Sequence, residues 1–270
     1  MQKSPTIGVF DSGFGGLTVL RALLPLIPGA HYIYLGDTAR LPYGAKSPAT
    51  IERYAISAAK FLEAQGADYI LIACNTASAL ALDAIQASTK LHVSGVIAPG
   101  AAAAKASSLG DVLVLATEAT VASAAYTKAC NALNLNTIEK ACPLLVPLVE
   151  EGWLDHKVTT EVLRIYLKEA LELADSKGLN PVSLLLGCTH YPLLEPQIRT
   201  ILNRIRSKIQ IIDSARAAAE AVAKHFPQSF SKAPASCTFY ATDSIEKFQR
   251  LGSKFLGHPI PKVHLIQLPE

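Results

Sequence analysis

The chain alternates short apolar runs with longer segments of helical periodicity. The apolar runs predict strands at residues 6–10, 31–35, 69–73, 92–97, 111–115, 182–186, 209–212 and 237–241. The periodic segments predict helices near residues 15–26, 48–65, 76–88, 118–132, 157–175, 193–206, 214–225 and 244–255, and the alanine run 101–104 predicts a helical surface packed closely on a neighbour. This alternation is typical of an α/β fold in which crossover helices connect parallel strands.

Polar residues follow the ends of two predicted strands in each half of the chain. Asp11 and Cys74 occupy these positions in the first half, and Thr117 and Cys188 in the second. In open α/β sheets, ligands bind outside the carboxyl ends of the strands. We therefore expect two similar, pseudo-symmetric parallel-sheet lobes with the active site in the cleft between them, and Cys74 and Cys188 on its opposite walls. The predicted lobes are residues 1–97 with 209–270, and residues 98–208.

Composition narrows the class of protein. The 270 residues are 50% hydrophobic, enough for substantial cores, and the formal net charge is only +3, with scattered Lys and Arg that form no nucleic-acid footprint. No apolar run is long enough to span a membrane and the first residues do not fit a signal peptide, so we expect a cytoplasmic protein. The five cysteines include no Cys-x-x-Cys pair, which favours free thiols over disulfides or a zinc site.

Two of the thiols stand in a suggestive context. Cys74 precedes Asn75 and Thr76, which are good capping residues, and we expect it at a helix N-terminus, where the pKa of a thiol falls. Cys188 has the same predicted placement and is followed by Thr189 and His190. The imidazole can tune the thiol or carry a proton. A Cys-His hydrolase is an alternative use of these residues, but adjacent positions in sequence do not generally face each other, so the motif alone does not establish a nucleophile-base pair. An inert buried role for either cysteine is a further alternative.

Two loops add polar groups. The segment DSGFGG, residues 11–16, fits neither the dinucleotide-binding nor the P-loop pattern. It predicts either a tight turn that directs Asp11, Ser12 and backbone N–H groups at a small ligand, or a simple capped turn. The segment GDTARLPYG, residues 36–44, is long and polar for a strand-helix connection and predicts a binding loop. Cys130, Cys142 and Cys237 lack comparable neighbours and are expected to be structural.

Several segments together carry a family resemblance. GVFDSGFGGLTVL, GDTARLPYGAKSP, ACNTASA, ATEATVASAAY, CPLLVPLVEEG and LLLGCTHYPLL occur in order between about residue 7 and residue 213. They closely resemble the glutamate racemase family of the cofactor-independent amino-acid racemases. The resemblance implies interconversion of L- and D-glutamate without cofactor or metal, a supply of D-glutamate for peptidoglycan, and a homodimer. His190 favours glutamate over aspartate, because aspartate racemases usually have glutamate at that position.

The resemblance also assigns residues. It implies that Cys74 and Cys188 are the two acid/base residues, with Asp11 and His190 as their respective assistants and Glu151 as a further helper. The implied substrate-binding residues are Asp11, Ser12, Tyr43, Gly44, Asn75, Thr76, Thr117, Thr120, Thr189 and His190. Two residues across a cleft suit this chemistry, because a proton must leave one face of Cα and another must return to the opposite face. A racemase acting on aspartate, a Cys-His hydrolase and a non-catalytic amino-acid binder remain alternatives.

Overall fold

The computed structural model describes residues 4–107, 110–226 and 234–269. Its strands are β1 (Thr6–Asp11), β2 (His31–Gly36), β3 (Tyr69–Ile72), β4 (His92–Gly95), β5 (Asp111–Ala116), β6 (Thr137–Ala141), β7 (Pro181–Gly187), β8 (Gln210–Asp213), β9 (Ser236–Ala241) and β10 (His264–Leu265). They form a six-stranded sheet in the order β10-β9-β2-β1-β3-β4 and a four-stranded sheet in the order β6-β5-β7-β8. Every pairing in both sheets is parallel, which confirms the predicted fold class of two parallel-sheet α/β lobes.

Helices cover the faces of these sheets. They are α1 (Leu17–Leu23), α2 (Pro48–Ala64), α3 (Asn75–Leu80), α4 (Leu82–Ser88), α5 (Ile97–Ser107), α6 (Glu118–Ser123), α7 (Ala125–Asn131), α8 (Leu145–Glu150), α9 (Lys157–Ser176), α10 (Glu195–Ile205), α11 (Ser214–His225) and α12 (Ile245–Leu256). Short 3₁₀ helices cover Thr38–Arg40, Tyr43–Ala45 and Tyr191–Leu194. Within the described ranges, none of the helices is both long enough and apolar enough to cross a membrane.

Local sequence explains where several helices begin and end. The Ser47 side chain accepts a hydrogen bond from the Thr50 amide at the start of α2, and Pro48 occupies its first turn. Predicted helix 118–132 divides at Ala124, whose positive φ of 54° ends α6. The predicted alanine surface lies on α5, where Ala101 and Ala104 are fully buried. This helix packs against α7 and α11.

Sheet membership corrects one predicted boundary. Strand β8 pairs with β7 in the four-stranded sheet, so residues 210–213 extend the second sheet past the expected limit at residue 208. The apolar residues Ile211 and Ile212 continue the row of strands there. The chain then returns through α11 to β9 and β10 of the first sheet. Residues that follow the carboxyl ends of β1, β3, β5 and β7 lie around one common cavity.

Candidate active site

A cavity of about 410 Å³ lies where the strands of both sheets end. Eleven of the residues singled out from the sequence line it: Ser12, Tyr43, Gly44, Cys74, Asn75, Thr76, Thr117, Glu151, Cys188, Thr189 and His190. Two others, Asp11 and Thr120, are buried behind its wall. The topology therefore brings together residues that are far apart in the chain, because most of them follow a strand end. Tyr43 and Gly44 reach the cavity from the loop after β2, and Glu151 from the end of α8.

The Cys74 wall belongs to the first sheet. Cys74 follows β3 and is the N-cap of α3, where its Sγ accepts a hydrogen bond from the Ala77 amide at 3.5 Å. The same sulfur donates to Ser12 Oγ at 3.5 Å. The predicted helix N-terminus is present at this cysteine. Cys74 is 5% exposed and lines the cavity, so the cavity is the route of its thiol to a ligand.

The Cys188 wall belongs to the second sheet and is built differently. Cys188 follows β7, but the residues after it form a turn and a 3₁₀ helix, and α10 begins only at Glu195. The expectation of an α-helix N-terminus at Cys188 is therefore wrong, because Pro192 and Pro196 interrupt the regular backbone hydrogen bonding of this segment. The polar neighbour of this sulfur is the imidazole, with Nδ1 of His190 4.0 Å from Cys188 Sγ.

A carboxylate supports the imidazole from behind. His190 Nε2 lies 3.3 Å from Oε1 of Glu150 at the end of α8. Burial alone would raise the pKa of Glu150, but the hydrogen bond and charge of His190, together with Lys247, hold that pKa below its ordinary value. Glu151 was the expected helper; it lines the cavity, but the carboxylate that reaches His190 is that of Glu150.

Lys247 completes a chain of charged groups at this wall. Its Nζ lies 3.7 Å from Oε2 of Glu150 and 5.6 Å from the centre of the Phe14 ring. Lys247 lies on α12, and among the described residues that line the cavity it is the only lysine or arginine. The series Lys247, Glu150, His190, Cys188 thus crosses from one lobe to the other. Sequence reasoning missed Lys247 because no motif surrounds it.

Asp11 lies beneath the Cys74 wall rather than on it. Its Oδ2 accepts a hydrogen bond from the Gly13 amide at 2.8 Å, while its Oδ1 has no hydrogen-bond partner among the described residues. Burial raises the pKa of Asp11, and the nearby charge of His190 opposes that rise. A buried acceptor without a partner is costly unless a cation or donor reaches it. Asp11 is therefore placed to act on the site mainly through its charge.

The glycine turn between β1 and α1 lets the two walls approach each other. A Cβ on Gly15 would stand 2.3 Å from Thr189 Oγ1 and 2.6 Å from the His190 ring. Thr18 Oγ1, in the first turn of α1, donates to the Thr189 carbonyl at 3.0 Å. Glycine is needed at residue 15 because Thr189 and His190 leave no room for a side chain there. The turn therefore has a packing role, which the sequence patterns for nucleotide binding did not suggest.

Hydroxyl and amide groups also contribute to the lining of the cavity. The hydroxyls of Thr76 and Thr117 are 2.9 Å apart, and Thr120 lies 2.9 Å from Thr117. Asn75 donates through Nδ2 to Tyr126 Oη at 2.7 Å. Asn75 Oδ1 is buried and has no hydrogen-bond partner within residues 4–107, 110–226 and 234–269. This acceptor and the threonine hydroxyls suit a small zwitterionic ligand.

The thiol pKa values depart from expectation. Burial raises the pKa of Cys74 to about 11, with Asp11 adding to the rise and the Ala77 amide and Ser12 opposing it. Burial also raises the pKa of Cys188, and the charges of Cys74 and Asp11 act in the same direction. The predicted fall toward neutrality is wrong for these surroundings, because loss of solvation outweighs one hydrogen-bonded amide.

Further lining residues were not singled out from the sequence. They are Leu41, Pro42, Ala45, Glu118, Cys142, Pro143, Val146, Pro147, Glu150 and Lys247. Cys142, expected to be structural, follows β6 at the same sheet edge, and its Sγ points to the Lys140 carbonyl at 3.6 Å.

The peptide bond between Leu41 and Pro42 is cis. Across the described part of the chain, no cluster of three or more His, Cys, Asp or Glu side chains is arranged to hold a metal ion.

Comparisons with known proteins agree with this geometry. The family model for Asp/Glu/Hydantoin racemase matches residues 7–222. The chain belongs to this racemase family. Its relatives include the glutamate racemase of Koribacter versatilis, 48% identical over 99% of both chains, and that of Aquifex aeolicus, 40% identical over 95% of this chain and 96% of the relative. The predicted family is confirmed.

Solved structures show the same fold over almost the whole chain. Glutamate racemase of Thermus thermophilus, in complex with beta-chloro-D-alanine, superposes with a TM-score of 0.86 at 39% identity, covering 98% of each chain. Glutamate racemase of Francisella tularensis, in complex with D-glutamate, gives 0.85 at 35% identity and the same coverage. An aspartate racemase of Picrophilus torridus shares the fold with a TM-score of 0.57 at 23% identity.

Proposed function

We propose that the protein interconverts L- and D-glutamate by a two-base mechanism in which Cys74 and Cys188 act on opposite faces of Cα. The observation that carries this proposal is that two thiols, one from each lobe, line a single small cavity. The full-length similarity to glutamate racemases and the D-glutamate bound by the Francisella relative support glutamate as the substrate.

The reaction needs one sulfur as thiolate and the other as thiol. The thiolate removes the Cα proton and becomes a thiol, while the opposite thiol gives its proton to the other face of Cα and becomes a thiolate. The configuration at Cα is inverted and the charge moves from one sulfur to the other, so the next turnover starts with the two roles exchanged. Ser12 and His190 contact the two sulfurs and are suited to assist these proton movements.

The positive charge of the bound substrate can lower the raised pKa values of the buried thiols. The ammonium group of an amino acid would bring a positive charge beside both sulfurs, and a nearby opposite charge favours a thiolate. Asn75 lines the cavity and offers an unpaired Oδ1 as an acceptor, whereas Asp11, buried behind the wall, can favour the ammonium group only through its charge. The threonine hydroxyls and the backbone N–H groups that follow Cys74 are suited to the carboxylates. Stabilisation of the developing negative charge at Cα falls to these fixed dipoles.

Proton exchange at Cα tests the proposal directly. Purified protein is incubated in deuterated water with D-glutamate, L-glutamate, D-aspartate or L-aspartate, and the product is analysed by chiral chromatography and mass spectrometry. We expect glutamate of inverted configuration carrying one α-deuterium, formed from either enantiomer. Inversion of aspartate in preference to glutamate would show that the protein is an aspartate racemase. A hydrolytic product without inversion would support a Cys-His hydrolase.

The setting of the reaction belongs to the same proposal. We infer a cytoplasmic homodimer that supplies D-glutamate for peptidoglycan, acts without a cofactor and binds neither nucleic acid nor membrane. The family resemblance supports this setting, and the absence of a membrane-crossing helix among the described residues is compatible with it. Light scattering coupled to size exclusion tests the dimer, and restoration of growth in a bacterium that requires D-glutamate tests the physiological role.

A further inference from the structure

The loop between β2 and α2 forms one edge of the cavity and contains a buried carboxylate. Tyr43 Oη donates to Asp37 Oδ2 at 2.6 Å, and Thr242 Oγ1 donates to Asp37 Oδ1 at 2.9 Å. Asp37 is fully buried, whereas Tyr43 and Gly44 line the cavity. The position of the cavity edge is thus tied to the position of the Asp37 carboxylate.

Arg40 connects this carboxylate to a distant part of the chain. Its Nη1 lies 3.6 Å from Asp37 Oδ2, and its Nη2 donates to the carbonyls of Leu268 and Pro269, both at 3.1 Å. The guanidinium also lies 4.4 Å from the centre of the Tyr54 ring on α2. One side chain, 14% exposed, therefore holds the loop, the helix and the segment 266–269 together. The planar fork of arginine suits this multiple pairing, which lysine cannot reproduce.

The segment 266–269 is itself anchored. The Leu268 side chain is 8% exposed and packs in the core cluster that contains Tyr43 and the buried face of α2. The Ile266 amide donates to the Ala241 carbonyl at 3.0 Å. The carbonyl groups that accept hydrogen bonds from Arg40 therefore belong to a segment that is itself anchored to the core of the first lobe.

The loop also reaches the second lobe. A Cβ on Gly44 would stand 3.1 Å from Thr117 Cβ, so the loop lies against Thr117, which follows β5 of the second sheet. A shift of the loop by a fraction of an ångström would change both the cavity edge and this contact. The two thiols stand on β3 and β7 ends and do not depend on the loop for their positions.

We propose that Arg40 is a positioning residue for substrate binding, which fixes the Tyr43–Gly44 edge of the cavity by joining Asp37 to the carbonyls of residues 268 and 269. This inference rests on the proposed function and deepens it. Loss of Arg40 leaves the buried Asp37 carboxylate without its cation, so either the carboxylate takes up a proton or the loop moves toward solvent. Protonation would weaken the hydrogen bond that Tyr43 donates to Asp37, and movement of the loop would break it. In both cases the Tyr43–Gly44 edge is held less firmly, and substrate binding weakens more than the proton transfer steps.

Steady-state racemisation of glutamate by Arg40→Ala, Arg40→Lys and a chain that ends at Ile266 tests this inference. We expect Arg40→Ala to raise KM for both enantiomers about tenfold or more, with kcat changed by less than about threefold. Arg40→Lys should recover part of the loss through its charge, and the shortened chain should raise KM with Arg40 intact. Ser57→Ala is the matched control, because it removes another hydrogen bond to the Pro269 carbonyl, 2.9 Å long, without touching Arg40.

The outcomes separate the inference from the proposed function. Failure of the unchanged protein to racemise glutamate would overturn the proposed function. Racemisation by the unchanged protein together with an unaltered KM in Arg40→Ala would overturn the role of Arg40 alone. A fall in kcat at constant KM would also overturn it, since that pattern assigns the residue to the proton transfers. If Arg40→Ala does not fold, Arg40→Lys and the shortened chain decide the question by the same KM measurement.

Discussion

The two walls of the cavity hold the same functional atom in unlike surroundings. The Cys74 sulfur accepts from a helix-start amide and donates to Ser12, and a buried aspartate lies beneath it. The Cys188 sulfur stands beside an imidazole that is backed by Glu150 and Lys247. The two lobes are therefore similar in topology but different in chemistry. A symmetric reaction does not require symmetric sites, because it requires only that each sulfur can lose and regain a proton.

Removal of either sulfur should have the largest effect. We expect Cys74→Ala and Cys188→Ala each to lower kcat for glutamate by about 10³-fold or more, because one face of Cα then lacks its acid or base. Both positions are buried, so circular dichroism and thermal unfolding accompany the kinetics. Cys130→Ala is the control, since Cys130 is fully buried in the core cluster around α5 and α7, outside the cavity. Full activity in either single variant would remove the two-base mechanism.

The pH dependence should report the buried thiols. Since burial raises the pKa of Cys74 to about 11, its thiolate fraction grows about tenfold per pH unit below that value. We expect kcat/KM, which reports the free protein, to rise from pH 7 to pH 9 with a slope of up to about one. The bound ammonium favours the thiolate, so the rise of kcat should lie at lower pH. A kcat/KM that falls over this interval would contradict a thiolate base with a raised pKa.

The Cys188 wall can be weakened from behind. Glu150→Gln keeps the shape of the side chain but removes the charge that orients His190, and we expect kcat to fall about tenfold. Glu151→Gln is the matched comparison on the next residue and should have the smaller effect, because the carboxylate within hydrogen-bond distance of His190 is that of Glu150. Progress curves from each enantiomer measure both variants. A larger loss in Glu151→Gln would restore the role that the family resemblance gave to that residue.

The smallest expected effect concerns Lys247. Lys247→Met removes a half-exposed partner of Glu150, and exposed ion pairs contribute about 1 kcal/mol or less. Because Lys247 helps to lower the pKa of Glu150, its loss should raise that pKa and reduce kcat by less than about threefold at neutral pH. Lys247→Arg, which keeps the charge, is the control. An effect of Lys247→Met as large as that of Glu150→Gln would place the lysine in direct contact with the substrate.

Patterning predicted most of the fold because buried parallel strands are continuous apolar runs. It missed β6, where Glu139 and Lys140 occupy an edge strand in which Ile138 is the buried residue. Of α5 it predicted only the alanine run 101–104 as helical, since Pro99 and Gly100 obscure the pattern at the start of this helix. Strand β10 contains only two residues, too few for a periodic signal.

The site was predictable where it follows strand ends and not where it depends on packing. Cys74 and Cys188 could be found because each follows an apolar run. The choice between Glu150 and Glu151 depends on the rotation of α8 relative to His190, which adjacent letters do not encode. The thiol pKa depends on burial by both lobes together, and Lys247 reaches the cavity only because α12 packs beside it.

Hydrogen bonds that run between the lobes have a consequence for melting. Asn75 reaches Tyr126, Thr76 reaches Thr117, and Thr18 reaches the Thr189 carbonyl. If one lobe lost its order alone, the other would be left with buried polar atoms deprived of partners. Unfolding of one lobe alone therefore carries an added free-energy cost, so we expect the two lobes to unfold together. Calorimetry should record one cooperative heat-absorption peak and not two.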